Sequence, residues 1–228
     1  MDQLPLNLGH RPALDREDFL VAPCNEAAVA WIDRWPDWPS PRSRGLALWG
    51  PKACGKTHLA HVWREASGAV AVDGASLAAG DPVELAGAAR DILVEDFLNT
   101  EAPPQIAQTC LFHLYNLIAE RDGSLLVTGT VPPARSALSL ADLQSRLNTL
   151  TVVGIKEPDD TLIAAVLVKQ FQDRQLNVGQ EVIGYLTVRM ERSFAAATAL
   201  VEALDKAALA HRRHVTKALA REVLDAGS

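Results

Sequence analysis

A stretch of eight residues in the N-terminal half of the chain has the residue types that bind a polyphosphate. The chain reads Gly50-Pro51-Lys52-Ala53-Cys54-Gly55-Lys56-Thr57, which fits the pattern G-x-x-x-x-G-K-[ST] at every fixed position. The two glycines allow the backbone to wrap around an anion, so that N–H groups and a helix N-terminus point at it. Lys56 is expected to reach the β- and γ-phosphates, and the Thr57 hydroxyl to ligate magnesium. The sequence therefore predicts a nucleotide site, with His58 next to it.

The elements around this loop fit the same prediction. Residues 45–49 form a short apolar run, which predicts a buried strand, and residues 57–65 have helical character. Farther on, Ile92-Leu93-Val94 leads directly into Glu95 and Asp96. An apolar strand that ends in carboxylates supplies what a magnesium nucleotide site needs beside a phosphate loop. Capping of the strand end is the alternative role for these two acids.

Composition narrows the class of protein. The chain has 228 residues, of which 48% are hydrophobic, so it can bury a sizeable core. Its formal net charge of -6 argues against a broad nucleic-acid surface. Its three cysteines are scattered without metal-ligand spacing, which fits a reducing compartment. With neither a signal-peptide pattern nor an apolar run of membrane-spanning length, a cytoplasmic protein is expected.

The N-terminus alternates apolar and polar residues. Gln3, Leu4, Leu6 and Leu8 lie in a segment with Pro5, which disfavours helix. An extended peptide of this kind can place alternate side chains in a partner's pockets, although a mobile terminus or an edge strand has the same composition. The order Gln-Leu-x-Leu-x-Leu is similar to the short motif by which bacterial replication proteins bind the DNA polymerase sliding clamp. That similarity implies clamp binding by Gln3, Leu4, Leu6 and Leu8.

The segment before the phosphate loop resembles one in the DnaA family of AAA+ proteins. Phe19-Leu20-Val21 precedes Asn25, a predicted helix N-cap, and in that family this segment holds the adenine. Trp31, Trp35 and Trp38 follow closely, and packing under a loop is the favoured explanation for them.

Two further positions, Thr128 and Arg146, match polar or charged residues of the DnaA family, and two others, Gly129 and Ala195, depart from it. Thr128, at the end of an apolar strand, stands where the family places a polar residue near the γ-phosphate, and Gly129 replaces a nearby aspartate. Leu143-Gln144-Ser145-Arg146-Leu147 resembles the setting of the arginine finger, and a guanidinium suits phosphate oxygens because it is planar and always charged. A surface ion pair is the alternative for Arg146. Ala195 occupies the slot of the family's lid arginine, with Arg192 three residues earlier on the expected helical face.

The resemblance also assigns separate roles to Glu95 and Asp96. The family usually places aspartate first, for the magnesium shell, and an acid second, to orient water. Here Glu95 is first and Asp96 second, so we expect magnesium contact by Glu95 and water contact by Asp96, with slow hydrolysis.

The resemblance implies an α/β fold: an AAA+ phosphate-loop core with a parallel five-stranded sheet, and a small C-terminal helical lid. We expect a clamp-binding segment at residues 1–14, a nucleotide-binding core at 15–154 and the lid at 155–228. One strand should intervene between the two nucleotide strands. Residues 74–90 are shorter than the insertion that DnaA initiators use on single-stranded DNA, and the chain carries no helix-turn-helix domain.

These features resemble the regulatory branch of the DnaA family. The resemblance implies a protein that holds ADP or ATP with Mg²⁺, binds the sliding clamp on DNA, and stimulates ATP hydrolysis by DnaA, so that Arg146 serves the partner's nucleotide. DNA is then contacted only through the clamp, and no membrane is involved. A homo-oligomer, an autonomous ATPase of the helicase-loader type and a nucleic-acid-binding adaptor remain open alternatives, although the acidic charge and the short 74–90 segment speak against the adaptor.

Overall fold

The computed structural model describes residues 21–38, 44–211 and 214–226. They fall into two compact units: a sheet unit, Asn25–Lys156, and a helical unit that joins the residues from Glu157 onward to those up to Cys24. The boundary near residue 156 lies two residues from the one expected from the sequence. Residues 21–24, which the sequence analysis included in the core, cluster instead with the helical unit.

The sheet unit is built on five parallel strands. Their spatial order is β2-β3-β4-β1-β5, so β4 lies between the two strands that lead to the phosphate loop and the acids, as expected. Each strand is largely apolar, as strands covered on both faces are. The strands are β1 Arg44–Trp49, β2 Val70–Val72, β3 Ile92–Leu98, β4 Ser124–Gly129 and β5 Thr151–Gly154.

The register of the central strands brings their chemistry to one edge of the sheet. Trp49 pairs with Gly129, so the loop after β1 and the end of β4 lie side by side. On the other side of β4, pairing with β3 is regular up to Val94, breaks, and resumes at Leu98. Because ligands of open parallel sheets bind beyond the carboxyl ends of the strands, this edge is the place to look for a site.

Helices cover the sheet. The longest one in this unit, residues 105–120, buries Leu111, Leu114 and Ile118 against the strands. Residues 74–90 contain two short helices, and the guanidinium of Arg90 donates to the carbonyls of Arg121 and Asp122, 3.2 and 2.8 Å away. The helices are α1 Glu26–Asp33, α2 Lys56–Ser67, α3 Gly74–Ala79, α4 Pro82–Ala86, α5 Gln105–Glu120 and α6 Ala141–Leu147, with a 3₁₀ turn at Pro133–Arg135.

The tryptophans of the N-terminal segment pack, as the sequence indicated. The ring of Trp38 stacks on that of Trp63 with centroids 5.4 Å apart, and Trp35 meets Trp63 edge-on at 6.5 Å. The indole N–H of Trp38 donates to the carbonyl of Trp31 at 2.6 Å, and that of Trp35 to the Ser124 hydroxyl at 3.2 Å. Their polar atoms are therefore used within the core.

The helical unit has its own core, formed by Leu167, Phe171, Leu186, Val201 and Leu204. Within the described residues, its helices are α7 Asp160–Asp173, α8 Gln180–Thr187, α9 Phe194–His211 and α10 Lys217–Ala226. None of the described helices combines the length and apolar character that crossing a membrane requires.

Candidate functional site

The loop after β1 has the backbone geometry of a phosphate cradle. A Cβ on Gly50 would lie 2.5 Å from the carbonyl oxygen of Ile155, so no side chain fits there. Gly55 has φ +97°, in the left-handed region that glycine adopts without strain, and directly precedes α2. The loop thus turns sharply into a helix whose first N–H groups face the end of the sheet.

Lys56 lies at the centre of this loop. Its ammonium donates to the carbonyls of Gly50 and Pro51, at 2.9 and 2.7 Å, and the side chain is buried. Cys54 is also buried, and its burial raises the pKa of the thiol while Lys56, 4.0 Å away, lowers it. The loop therefore carries a positive charge in a confined place, where a phosphate can exchange for the carbonyl oxygens as its partner.

The cleft in front of the loop is lined by Lys52, Ala53, Lys56 and Thr57, and it has a volume of about 640 Å³. That volume is in the range of small-molecule sites. Thr57 brings a hydroxyl, the donor expected for magnesium, whereas His58 follows on α2 as a half-buried residue outside this lining. Of the loop residues predicted from the sequence, Lys52, Ala53, Lys56 and Thr57 thus line one cleft, whereas Gly50, Pro51, Cys54 and Gly55 do not.

The two acids of β3 lie in different surroundings. Asp96 lines the cleft together with Thr57, whereas the Glu95 carboxylate lies 3.6 Å from Nε2 of His61, on the outer part of α2. The break in pairing after Val94 and the positive φ of Asp96, +51°, change the direction of the strand at this point. We therefore move the proposed magnesium role from Glu95 to Asp96.

The residue after Asp96 is apolar. Phe97 also lines the cleft and is 3% exposed. On this geometry, the position that follows the magnesium-side acid holds a phenyl ring, which cannot orient water. We therefore propose that Phe97, in place of an acid, follows the magnesium-side residue, and that hydrolysis is slow for this reason.

Thr128 supports Asp96 rather than facing the cleft. Its buried hydroxyl accepts a hydrogen bond from the Asp96 N–H at 2.8 Å. Two residues farther along, Thr130 lines the cleft, and its hydroxyl donates to Oδ1 of Asn99 at 2.8 Å. Asn99 itself also lines the cleft. The sequence analysis missed Thr130 and Asn99, and the signal that could have found them is a second hydroxyl two residues beyond Thr128.

The cleft residues fit a magnesium nucleotide by their chemistry. Oxygen donors from Thr57 and Asp96, both lining one cleft, are of the type that Mg²⁺ prefers, and Lys56 supplies a phosphate partner. In the described residues, no group of three or more His, Cys, Asp or Glu side chains is placed to hold a metal alone. The metal would therefore be held jointly with nucleotide phosphates, as Mg²⁺ usually is.

Arg146 lies on α6 and is exposed. Its guanidinium carbon is 5.9 Å from the centroid of the Tyr115 ring. Among the described residues, no carboxylate lies within ion-pairing distance of it, so the ion-pair alternative has no support there. In the described part of the chain, Arg146 is thus an exposed guanidinium that makes no ion pair.

The proposed adenine segment is described in part. Phe19 and Leu20 lie outside the described residues, and Val21 is half-buried. Asn25 precedes α1 as predicted, but its side chain makes no capping hydrogen bond: the residue is 1% exposed, with ψ −6° instead of the extended value of a cap.

Arg192 is held within the helical unit. Its Nε lies 2.7 Å from one oxygen of Asp160, and its second nitrogen donates to the other oxygen at 3.0 Å. Arg192 precedes α9, which begins at Phe194, so it does not share a helical face with Ala195. In the first turn of that helix, the Ser193 hydroxyl accepts from the Ala196 N–H at 3.1 Å.

The clamp-motif residues Gln3, Leu4, Leu6 and Leu8 lie outside the described residues.

Comparison with known proteins gives a family match for the C-terminal helices and structural matches for most of the chain. Residues 159–224 match the family model of the Hda lid domain. Domain III of the Thermotoga maritima replication initiation protein DnaA superimposes with a TM-score of 0.73 at 17% identity, over 92% of this chain and 94% of that one. Residues 159–224 thus match an Hda-type lid, and the fold of the chain is that of DnaA domain III.

Other AAA+ folds match less completely. AMPPCP-bound DnaA from Aquifex aeolicus gives a TM-score of 0.65 at 16% identity, over 81% of this chain and 62% of that one. The Thermotoga maritima RuvB Holliday junction branch migration motor gives 0.61 at 11%, over 80% and 61%. The chain thus spans about three fifths of the length of these two proteins. The predicted AAA+ fold, with its parallel sheet and helical lid, is confirmed.

A test of the nucleotide site follows from Phe97. We expect the purified AAA+ protein to retain adenine nucleotide, mainly ADP, and to hydrolyse ATP well below about 1 s⁻¹, the lower end of the range for kinases. The physical reason is that water must be placed accurately, since a misplacement of about 1 Å can cost roughly 100-fold. Chromatography of the nucleotide released on denaturation, together with steady-state phosphate release, measures both quantities. Turnover at or above that rate would show that the cleft orients water after all.

Proposed function

We propose that this protein is a regulator of chromosome replication initiation that holds an adenine nucleotide and stimulates ATP hydrolysis by DnaA. The observation that carries the proposal is the Hda-type lid at residues 159–224 on a DnaA-like AAA+ fold. DnaA structures that resemble the chain contain AMPPCP, which supports an adenine nucleotide as the ligand.

In this proposal, the protein's own nucleotide site and Arg146 have separate roles. The phosphate loop and Asp96 hold the protein's own nucleotide with Mg²⁺, and Phe97 keeps its turnover slow. The exposed Arg146 of α6 supplies charge to the nucleotide of a neighbouring DnaA molecule, where a γ-phosphoryl group departs. The neighbour provides the rest of that second site.

The N-terminal segment supplies the tether in this proposal. Gln3, Leu4, Leu6 and Leu8 bind the DNA polymerase sliding clamp as an extended peptide, with the glutamine in a polar pocket and the leucines in an apolar one. A tether raises the effective concentration of a second, weaker contact, here the one with DnaA. Clamp-bound protein on DNA would thus act on DnaA locally in the cytoplasm.

We expect loss of clamp binding when the motif is removed. Deletion of residues 1–8, or replacement of Gln3, Leu6 and Leu8 by alanine, should abolish the calorimetric signal for the clamp, because the pockets lose their ligands. The control is Asn7→Ala, a substitution of a residue outside the glutamine and leucine positions, which should leave affinity within about twofold. Nucleotide affinity and melting temperature should be unaltered throughout. Clamp affinity that survives both the deletion and the triple substitution would refute the tether.

The function itself is tested by following hydrolysis of DnaA-bound ATP, omitting this protein, the clamp and DNA in turn. An autonomous ATPase would instead hydrolyse free ATP at the same rate whichever component is omitted. A nucleic-acid adaptor would bind DNA alone, with an affinity that falls steeply as salt rises.

A further inference from the structure

Gln108 is a buried amide that joins two segments of the sheet unit. It lies in the first turn of α5 and is 1% exposed. Its Nε2 donates to the carbonyl of Pro103 at 2.8 Å, and its Oε1 accepts from the N–H groups of Ser139 and Leu140 at 2.9 and 3.0 Å. The Ser139 hydroxyl is 3.3 Å from the same oxygen. Both ends of the amide are therefore used, and by different parts of the chain.

The first of these segments belongs to the nucleotide cleft. Thr100, Glu101, Ala102 and Pro103 line the cleft opposite the phosphate-loop residues. This wall has no regular secondary structure, so its position depends on contacts such as the one with Gln108. Gln108 itself does not line the cleft.

The second segment leads into α6, the helix of Arg146. This helix has seven residues, too few to be stable alone, and Leu140 at its N-cap position makes no capping hydrogen bond. The Gln108 oxygen instead binds two N–H groups at the entry to the helix. Near the other end of α6, the Arg146 guanidinium lies over Tyr115, which is also on α5.

A second connection runs in parallel. Asn99, which lines the cleft, donates from Nδ2 to the carbonyl of Asp96 at 2.6 Å. The backbone carbonyl of Asn99 accepts from the N–H of Ala137 at 3.1 Å, and Ala137 lies in the segment between the 3₁₀ turn and α6. The cleft wall and the approach to α6 are thus hydrogen-bonded to each other at two places.

We propose that Gln108 is a positioning residue that couples nucleotide occupancy of the cleft to the placement of Arg146. Nucleotide orders the wall at residues 100–103, Gln108 transmits that order to residues 139–140, and α6 presents Arg146 in one orientation. The use of Arg146 on DnaA rests on the proposed function, whereas the coupling within this chain does not.

Hydrogen exchange of α6 measures the coupling without any partner. In the unaltered protein, saturating Mg²⁺-ADP should slow exchange of the amides in residues 141–147 at least about fivefold, the lower limit of typical coupling between sites. In Gln108→Met the ADP affinity should be retained while this slowing falls below about twofold. The matched control is Gln144→Met, because that amide donates to the Pro133 carbonyl at 2.7 Å and to Oδ1 of Asn148 at 3.2 Å, neither of which belongs to the cleft wall. It should keep the full ADP effect.

A second variant keeps the inference testable if Gln108→Met does not fold. Gln108→Met leaves the N–H groups of Ser139 and Leu140 without their acceptor. The carboxylate of Gln108→Glu retains that acceptor, removes the donor to Pro103 and adds a charge at a buried position. Both variants should lose the ADP effect on α6. Retention of that effect in a folded variant, or its absence in ADP-saturated unaltered protein, would overturn the inference.

Measuring the stimulation of DnaA in parallel with hydrogen exchange keeps this inference separate from the proposed function. If ADP slows exchange in α6 and the Gln108 variants abolish that effect, the coupling stands even when unaltered protein fails to stimulate DnaA. If DnaA is stimulated by unaltered protein and by Gln108→Glu equally, the function stands and the coupling to Arg146 is refuted.

Discussion

Arg146→Ala should lose the stimulation of DnaA, with DnaA-bound ATP hydrolysed at the rate seen without this protein. Arginine fingers supplied to a neighbouring subunit contribute roughly 10³–10⁵-fold to turnover, so the loss should be nearly complete. The exposed guanidinium makes no ion pair with a described carboxylate, so its removal should leave the melting temperature within about 1 °C of the unaltered value. Single-turnover hydrolysis and thermal unfolding of the same preparation measure both.

Two further variants separate a finger from a generic charge. Arg146→Lys should recover little activity, because an ammonium cannot reproduce the planar, bidentate fork. Arg64→Ala, which removes an exposed arginine from α2 instead of α6, should leave stimulation unchanged. A stable Arg146→Ala protein that drives DnaA hydrolysis at the unmutated rate would eliminate the finger assignment.

Lys56→Ala should abolish nucleotide binding. Its ammonium is buried at the centre of the loop, where it donates to the carbonyls of Gly50 and Pro51 and lies near the Cys54 sulfur. Truncating one side of a buried hydrogen-bonded charge pair costs about 2–5 kcal/mol or more, which corresponds to a loss of affinity of roughly 30-fold or greater. Calorimetric titration with ADP and Mg²⁺ measures the loss.

Lys52→Ala is the matched control for that experiment. Lys52 lines the same cleft but is exposed and occupies a variable position of the motif. Because solvent screens exposed charges, its removal should weaken ADP binding by less than about tenfold. Equal losses in the two variants would show that general positive potential, and not the placement of Lys56, holds the nucleotide.

The phosphate loop and the sheet could be predicted because their signals are local. All fixed positions of the loop lie within eight residues, and the apolar runs at 45–49 and 92–94 lie within β1 and β3. The packing of Trp35 and Trp38 was also predictable, since both lie at a proline-rich loop that needs packing beneath it.

Which of the two acids faces the cleft could not be predicted from the residues next to them in the sequence. Whether Glu95 or Asp96 faces the cleft depends on the break in strand pairing and on the bond from the Asp96 N–H to Thr128, 32 residues away. A regular strand would have given no reason to prefer Asp96. The partner of Arg192, Asp160, is equally remote in sequence, and Asn25 does not cap α1 because its backbone lacks the extended conformation of an N-cap residue.

The most direct test of the proposed function is single-turnover hydrolysis of ATP preloaded on DnaA. The reaction contains this protein with ADP and Mg²⁺, and sliding clamp loaded on DNA. The account predicts rapid conversion of DnaA-bound ATP to ADP only when this protein, clamp and DNA are all present, and loss of that conversion with Arg146→Ala. An ATP lifetime on DnaA that is the same with and without this protein, under conditions where it binds both nucleotide and clamp, would contradict the account.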